Sequence, residues 1–152
     1  MTVPYPVVAI AASVCGALLI SAAAFHVYWG LGGRVGSLAS VPQSGDGRKL
    51  FTPGPAACFA VAAALSVAVV LVGLLAGTIE LALPPGVIVA AGALCGAVFL
   101  ARALSWHTYV GFFKKVRSTR FGRYDTWLFS PICLLLGSGF VLLTFVFWQS
   151  LA

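Results

Sequence analysis

Four long apolar stretches alternate with three polar breaks along this chain, a pattern that predicts four transmembrane helices. The first runs from about Val3 to Trp29, broken only by the polar residues Ser13, Ser21 and His26. It is longer than a bilayer core of roughly 30 Å requires, so it tilts or projects beyond the membrane. Gly30, Gly32 and Gly33 end it and open a polar linker from Arg34 to Pro55. A second span covers about residues 56–77, and the Pro84-Pro85-Gly86 breaker separates it from a third at about 87–104. The fourth has two readings. Either Asp125 caps a helix that Pro131 then kinks, or Ser130 is the cap and Pro131 opens a span over 131–151. The second is preferred, because no hydrogen bond is then lost to proline.

Between the third and fourth stretches, Trp106, Tyr109, Phe112, Phe113, Phe121 and Tyr124 are interleaved with cations. The mixture predicts an interfacial amphipathic segment, as an extension of the third helix or a helix of its own. The expected fold is therefore all-α: one four-helix transmembrane domain over residues 1–152, with spans at about 3–29, 56–77, 87–104 and 131–151. Small residues that let helices approach closely recur as Gly73-x-x-x-Gly77, Gly92-x-x-x-Gly96 and Gly137-Ser138-Gly139, and are expected to close the bundle internally rather than to make a dimer.

Composition removes the soluble alternative. The chain is 61% hydrophobic and only 8% charged, where soluble domains are about a quarter charged. The first residues carry no Lys or Arg, which argues against a secretory signal even though Ser21-Ala22-Ala23-Ala24 resembles a cleavage site, and the first stretch is expected to be retained. The four cysteines, Cys15, Cys58, Cys95 and Cys133, fall one per stretch without a C-x-x-C pair, so they read as small hydrophobes and no metal site is expected.

Charge then fixes an orientation. Arg34, Arg48 and Lys49 lie in the first break and Lys114, Lys115, Arg117, Arg120 and Arg123 in the third, while the second holds only Glu80. The excess of cations predicts that both basic loops, 30–55 and 105–130, face the cytoplasm and both termini lie outside, in a bacterial cytoplasmic membrane. The net charge of +6 is read as a topology determinant facing anionic lipid, with Lys114, Lys115, Arg117, Arg120 and Arg123 as candidate headgroup contacts. No recognition motif accompanies the charge, so nucleic acid is not an expected partner.

Candidate chemistry gathers at the basic end. His26 shares a helical face with Ala22 and Trp29 and is the only ionisable side chain within the first span. Such groups usually face a bundle interior or a wet cavity, and the alternative is a neutral imidazole bonded within the fold. Arg102 lies on one stripe with Trp106, Tyr109 and Phe113, and either snorkels to headgroups or pairs with Asp125, the one carboxylate expected near membrane depth on that side. His26, Trp29, Arg102, Trp106, Tyr109 and Asp125, with Tyr28, are thus the candidate ligand-binding cluster. It would hold an anionic headgroup, or move a proton through His26 or Asp125 on a lipophilic substrate. A haem between His26 and His107 is disfavoured, since His107 lies about 140° around the helix from Arg102, and no cofactor is expected. No P-loop, nucleophile elbow or H-E-x-x-H motif is present.

The run His26-Val27-Tyr28-Trp29-Gly30-Leu31-Gly32-Gly33, the run from Arg102 through Tyr109-Val110-Gly111-Phe112-Phe113-Lys114, and Asp125 through Ser130-Pro131-Ile132-Cys133-Leu134 resemble a bacterial family of small four-helix membrane proteins, domain of unknown function 3995. The likeness covers nearly the whole chain and implies four spans, with motif positions at His26, Trp29, Arg102, Tyr109, Asp125 and Pro131. Where members of that family often carry Gly-Asp, this chain has Ser105-Trp106, which removes a carboxylate from any catalytic scheme. The expected function is binding of a lipid or other amphiphile at the cytoplasmic mouth of the bundle. Two alternatives stand beside it: an intramembrane isomerase or cyclase acting on an isoprenoid-like substrate, and an accessory subunit of a membrane complex. Membrane lipids are the expected partners, with a homo-oligomer or complex partner left open.

Overall fold

The computed structural model describes residues 4–151. Proline opens the first three spanning helices, at positions where its missing N–H has no acceptor to lose. Helix α1 (Tyr5–Gly30) follows Pro4, and at 26 residues it is about 39 Å long, exceeding a bilayer core. After a single turn of helix, α2 (Ser37–Ser40), the chain crosses back as α3 (Pro55–Leu75) and returns as α4 (Pro85–Ala103). The ends of these three helices fall within two residues of the expected spans, although Val3, the expected start of the first, lies outside the described residues, and the second stops at Leu75, two residues before Gly77. There the left-handed φ of Gly77 turns the chain so that the amides of Thr78 and Ile79 donate to the Gly73 carbonyl.

The fourth span departs from both sequence readings. Neither Asp125 nor Ser130 is a cap. Helix α5 (Arg120–Tyr124), a π-helical turn over Asp125–Phe129 and α6 (Ser130–Gln149) run on as one 30-residue helix. The side chain of Thr119 caps its start by accepting from the Gly122 amide. Within the π turn the Ser130 amide donates five residues back, to the Asp125 carbonyl. The wider turn relieves the clash that Pro131 would otherwise make with the preceding turn, so the helix continues through the proline.

No helix forms between α4 and Arg120: residues 104–119 fold as an irregular strap, and the amphipathic helix expected there is absent. The reason is local. Gly111 takes a left-handed φ, and the Phe112 amide donates back to the Ala103 carbonyl, reversing the chain onto the end of α4.

Helices α1 and α3 form one extensive pair and α4 and α6 another, joined through α1–α6 and α3–α4 contacts. Leu19, Leu71, Leu136, Phe140 and Leu143 fill the interior, with Phe99 stacked on Phe140. Gly92 and Gly96 admit α6 against α4, and Gly139 admits the Cys15 thiol, so these small residues do close the bundle. Gly73 instead lies under Ile79 of its own turn. Both basic loops lie at one end: α2 packs on α5, and the buried Gln43 side-chain carbonyl accepts from the Phe121 amide at 3.1 Å.

Candidate functional site

Asp125 is fully buried and sits where α4, the strap and the fourth span meet. The strap brings the groups to it. Its reversal at Gly111 points the Gly111 amide at Asp125 Oδ2 (2.9 Å) and carries Lys114, three residues on, to the same oxygen at 3.0 Å. Arg102, in the last turn of α4, places Nη2 2.6 Å from Oδ1. Ser130, one π turn along from Asp125, donates its hydroxyl to Oδ2 at 3.3 Å. A glycine is required at 111: with φ at +89°, an added Cβ would fall 2.6 Å from the Ser105 carbonyl oxygen.

Lys114 is as buried as its partner. Besides Asp125, its ammonium donates to the Gly111 carbonyl (3.2 Å) and the Thr126 hydroxyl (2.6 Å), so all three of its donors are used. The Thr126 hydroxyl in turn donates to the Gly122 carbonyl. The cluster therefore sets two cations against one carboxylate and keeps a net positive charge in a poorly solvated place. Arg102 is 31% exposed at its side chain, yet its Nη1 is buried without a protein hydrogen-bond partner. A buried donor left so costs about 1–3 kcal/mol, and an acceptor that reached it would recover that.

The other sequence-predicted residues divide. The Arg102–Asp125 ion pair forms. His26 and Trp29 do not join it: among the described residues, no hydrogen bond, ion pair or ring contact links either to Arg102 or Asp125. The His26 Nδ1 lies 2.8 Å from the Ala22 carbonyl of its own helix and its ring meets Trp29 edge-on. The Trp29 indole donates to the Val35 carbonyl, fixing the turn after α1, which Tyr28 also braces. Trp106 stacks on Phe113 at the surface of the strap, and Tyr109 tilts against His107, so both shape the strap rather than line Asp125.

The five cations assigned to headgroups also split. Lys114 is corrected outright, since a fully buried and saturated ammonium cannot reach a headgroup. Arg117 is exposed, but its guanidinium donates to the Lys114 and Phe112 carbonyls and holds the strap closed. Lys115, Arg120 and Arg123 are exposed, with no side-chain hydrogen bond or ion pair to another described residue. Sequence reasoning missed Lys114, Gly111 and Ser130 as partners of Asp125, and Thr126 as a partner of Lys114. All four stand inside the motif runs, and a glycine within an aromatic stretch three residues before a lysine was the available signal.

Among the described residues no cluster of His, Cys, Asp and Glu has the makings of a metal site. A family model described as "Protein of unknown function (DUF3995)" matches residues 6–140. No curated protein and no solved structure matches the chain.

Proposed function

The chain belongs to this family of unknown function, and from its geometry we propose that it binds an anionic amphiphile at the Arg102–Lys114–Asp125 cluster. One observation carries the reading. The cluster holds one cation more than it has carboxylates, and its spare charge ends in a guanidinium nitrogen, Arg102 Nη1, that no protein acceptor satisfies. A phosphate or carboxylate headgroup supplies both missing items, and Arg binds either with paired N–H groups. The 31% exposure of the Arg102 side chain lets a headgroup approach, and the buried Nη1 turns outward to meet it, while the tail stays in lipid.

The site would face the cytoplasm in a bacterial inner membrane, with both termini outside. Support comes from the asymmetry of charge: every Lys and Arg lies at the end that also bears Asp46 and Asp125, and Glu80 stands alone at the other. An isomerase or cyclase would need a carboxyl free to exchange a proton, whereas Asp125 is engaged by four donors. His26, tied to its own helix, offers no better base.

The test uses detergent-solubilised full-length protein and three additives with one tail: dodecyl phosphate, dodecanol and dodecyltrimethylammonium. Dodecyl phosphate should raise thermal stability by an amount that grows with concentration, about 2.7 kcal/mol at a hundredfold excess over Kd. The other two should not. Arg102→Gln should abolish the effect. Equal stabilisation by all three, or none by the phosphate, would sink the proposal.

A further inference from the structure

On the lipid-facing side of the π turn, opposite the inward-pointing Asp125, Arg123, Tyr124, Trp127 and Leu128 line a shallow groove of about 330 Å³. Trp127 is 82% exposed, more than any other large apolar side chain among the described residues. The indole N–H of Trp127, the hydroxyl of Tyr124 and the guanidinium of Arg123 make no hydrogen bond to another described residue. This distinguishes Arg123 from Lys114 and Arg117, which are committed to the strap. Along the helix, at 1.5 Å per residue, Trp127 lies about 6 Å deeper in the membrane than Arg123. That order, a free cation above, then an amphipathic ring, then Leu128, matches a lipid read from phosphate to ester to first methylenes.

We infer that this groove is a binding site for an anionic glycerophospholipid of the basic-end leaflet. Arg123 takes the phosphate, Tyr124 and Trp127 donate to the ester region, and Leu128 packs on the upper chain. Helical spacing makes the groove: Arg123 and Trp127, and Tyr124 and Leu128, stand four residues apart on one face, while Asp125 lies on the opposite, sealed side. The site is independent of the Asp125 cluster, and either can fail without the other.

The experiment keeps Trp127 as the sole tryptophan (Trp29→Phe, Trp106→Phe, Trp148→Phe) in protein reconstituted into phosphatidylcholine vesicles. Quenching by brominated phosphatidylglycerol is compared with quenching by brominated phosphatidylcholine. The anionic lipid should reach half-quenching at about fivefold lower mole fraction, the factor expected of one cation near an anionic lipid. Arg123→Gln should bring the two lipids to parity. A protein keeping only Trp148, exposed at the opposite end of the helix, should show parity from the start. Parity at Trp127 in the parent, or a preference that survives Arg123→Gln, would overturn the site.

Should the tryptophan-depleted protein not fold, native mass spectrometry of the unmodified chain and of Arg123→Gln decides. The variant should retain one phosphatidylglycerol fewer, and an equal count overturns the proposal. So does a dimer that Trp127→Ala converts to monomer with the lipid count unchanged, because a second copy then covers the groove.

Discussion

Lys114→Met should separate the charges around Asp125 more sharply than any change at Arg102. In the folded protein Asp125 is buried between Arg102 at 2.6 Å and Lys114 at 3.0 Å. Asp125→Asn leaves two cations without an anion, one of them fully buried, and stripping a buried pair of one partner costs about 3–5 kcal/mol. Lys114→Met is milder. Asp125 keeps Arg102, the Gly111 amide and Ser130, and the loss is that of the Lys114 contact with Asp125 and of the hydrogen bonds with Thr126 and the Gly111 carbonyl, about 1–3 kcal/mol because the carboxylate stays paired. In the double variant the remaining charge is Arg102, which is 31% exposed and reaches water. The double change should therefore cost less than the sum of the singles by more than about 1 kcal/mol. The corresponding cycle of Arg102→Met with Asp125→Asn should also couple above about 1 kcal/mol, but less strongly, because solvent screens the Arg102 pair. Equilibrium unfolding in mixed dodecylmaltoside and dodecylsulfate micelles, followed by circular dichroism, measures both. Additivity of Lys114→Met and Asp125→Asn within about 0.5 kcal/mol would refute the burial argument, and so would the reverse ranking of the two cycles.

Four further outcomes follow from the same geometry. Alkaline-phosphatase fusions should be active after Ala152 and inactive near Gly45 or Ser118, and the opposite pattern would invert the orientation proposed above. Gly111→Ala should expose the strap, because the added methyl meets the Ser105 backbone, and limited proteolysis after Lys114 or Lys115 should accelerate while the helix content holds; unchanged cleavage would refute the requirement for glycine. Gln43→Leu removes the acceptor for the Phe121 amide and should cost about 1–3 kcal/mol, with faster amide exchange at Phe121; an unaltered exchange rate would show that the two loops are held by other contacts. In the first loop Gln43 and Lys49 pair as an antiparallel bridge that closes a hairpin, where the Ser44 hydroxyl first, and then Arg48, hold the Asp46 carboxyl below its ordinary value. A depressed folded pKa means that this support is present above the unfolded value of about 3.9 and is lost only as pH falls through the lower folded one. The carboxyl 13C shift of Asp46 should titrate below that value, and a midpoint at or above it would contradict the hairpin.

What was legible in the sequence, and what was not, divides along the reach of the forces involved. Four spans were readable because lipid as solvent acts on every residue in turn, so apolar length alone declares them. The Arg102–Asp125 pair was readable for a related reason: two opposite charges near membrane depth, each without another evident partner, are expensive apart. Lys114 was not readable, because five cations in one stretch look alike until the chain is seen to reverse at Gly111 and bury one of them. A positive φ is a backbone property that aromatic and charge patterning do not encode. His26 failed differently. Helical spacing correctly grouped it with Ala22 and Trp29, but spacing names a face of one helix and not the helix that face will meet. Likewise Gly73-x-x-x-Gly77 has the spacing of a helix contact, yet here it ends a helix, since Gly77 takes up a left-handed turn. The π turn shows the limit most clearly. Sequence logic offered Pro131 either as a kink or as a first helical residue, both of which assume an i to i−4 ladder. Widening the ladder by one residue satisfies the proline without breaking the helix. Asp125 and Trp127, two residues apart on that helix, face opposite sides, so the same short stretch supplies both the buried cluster and the outward groove.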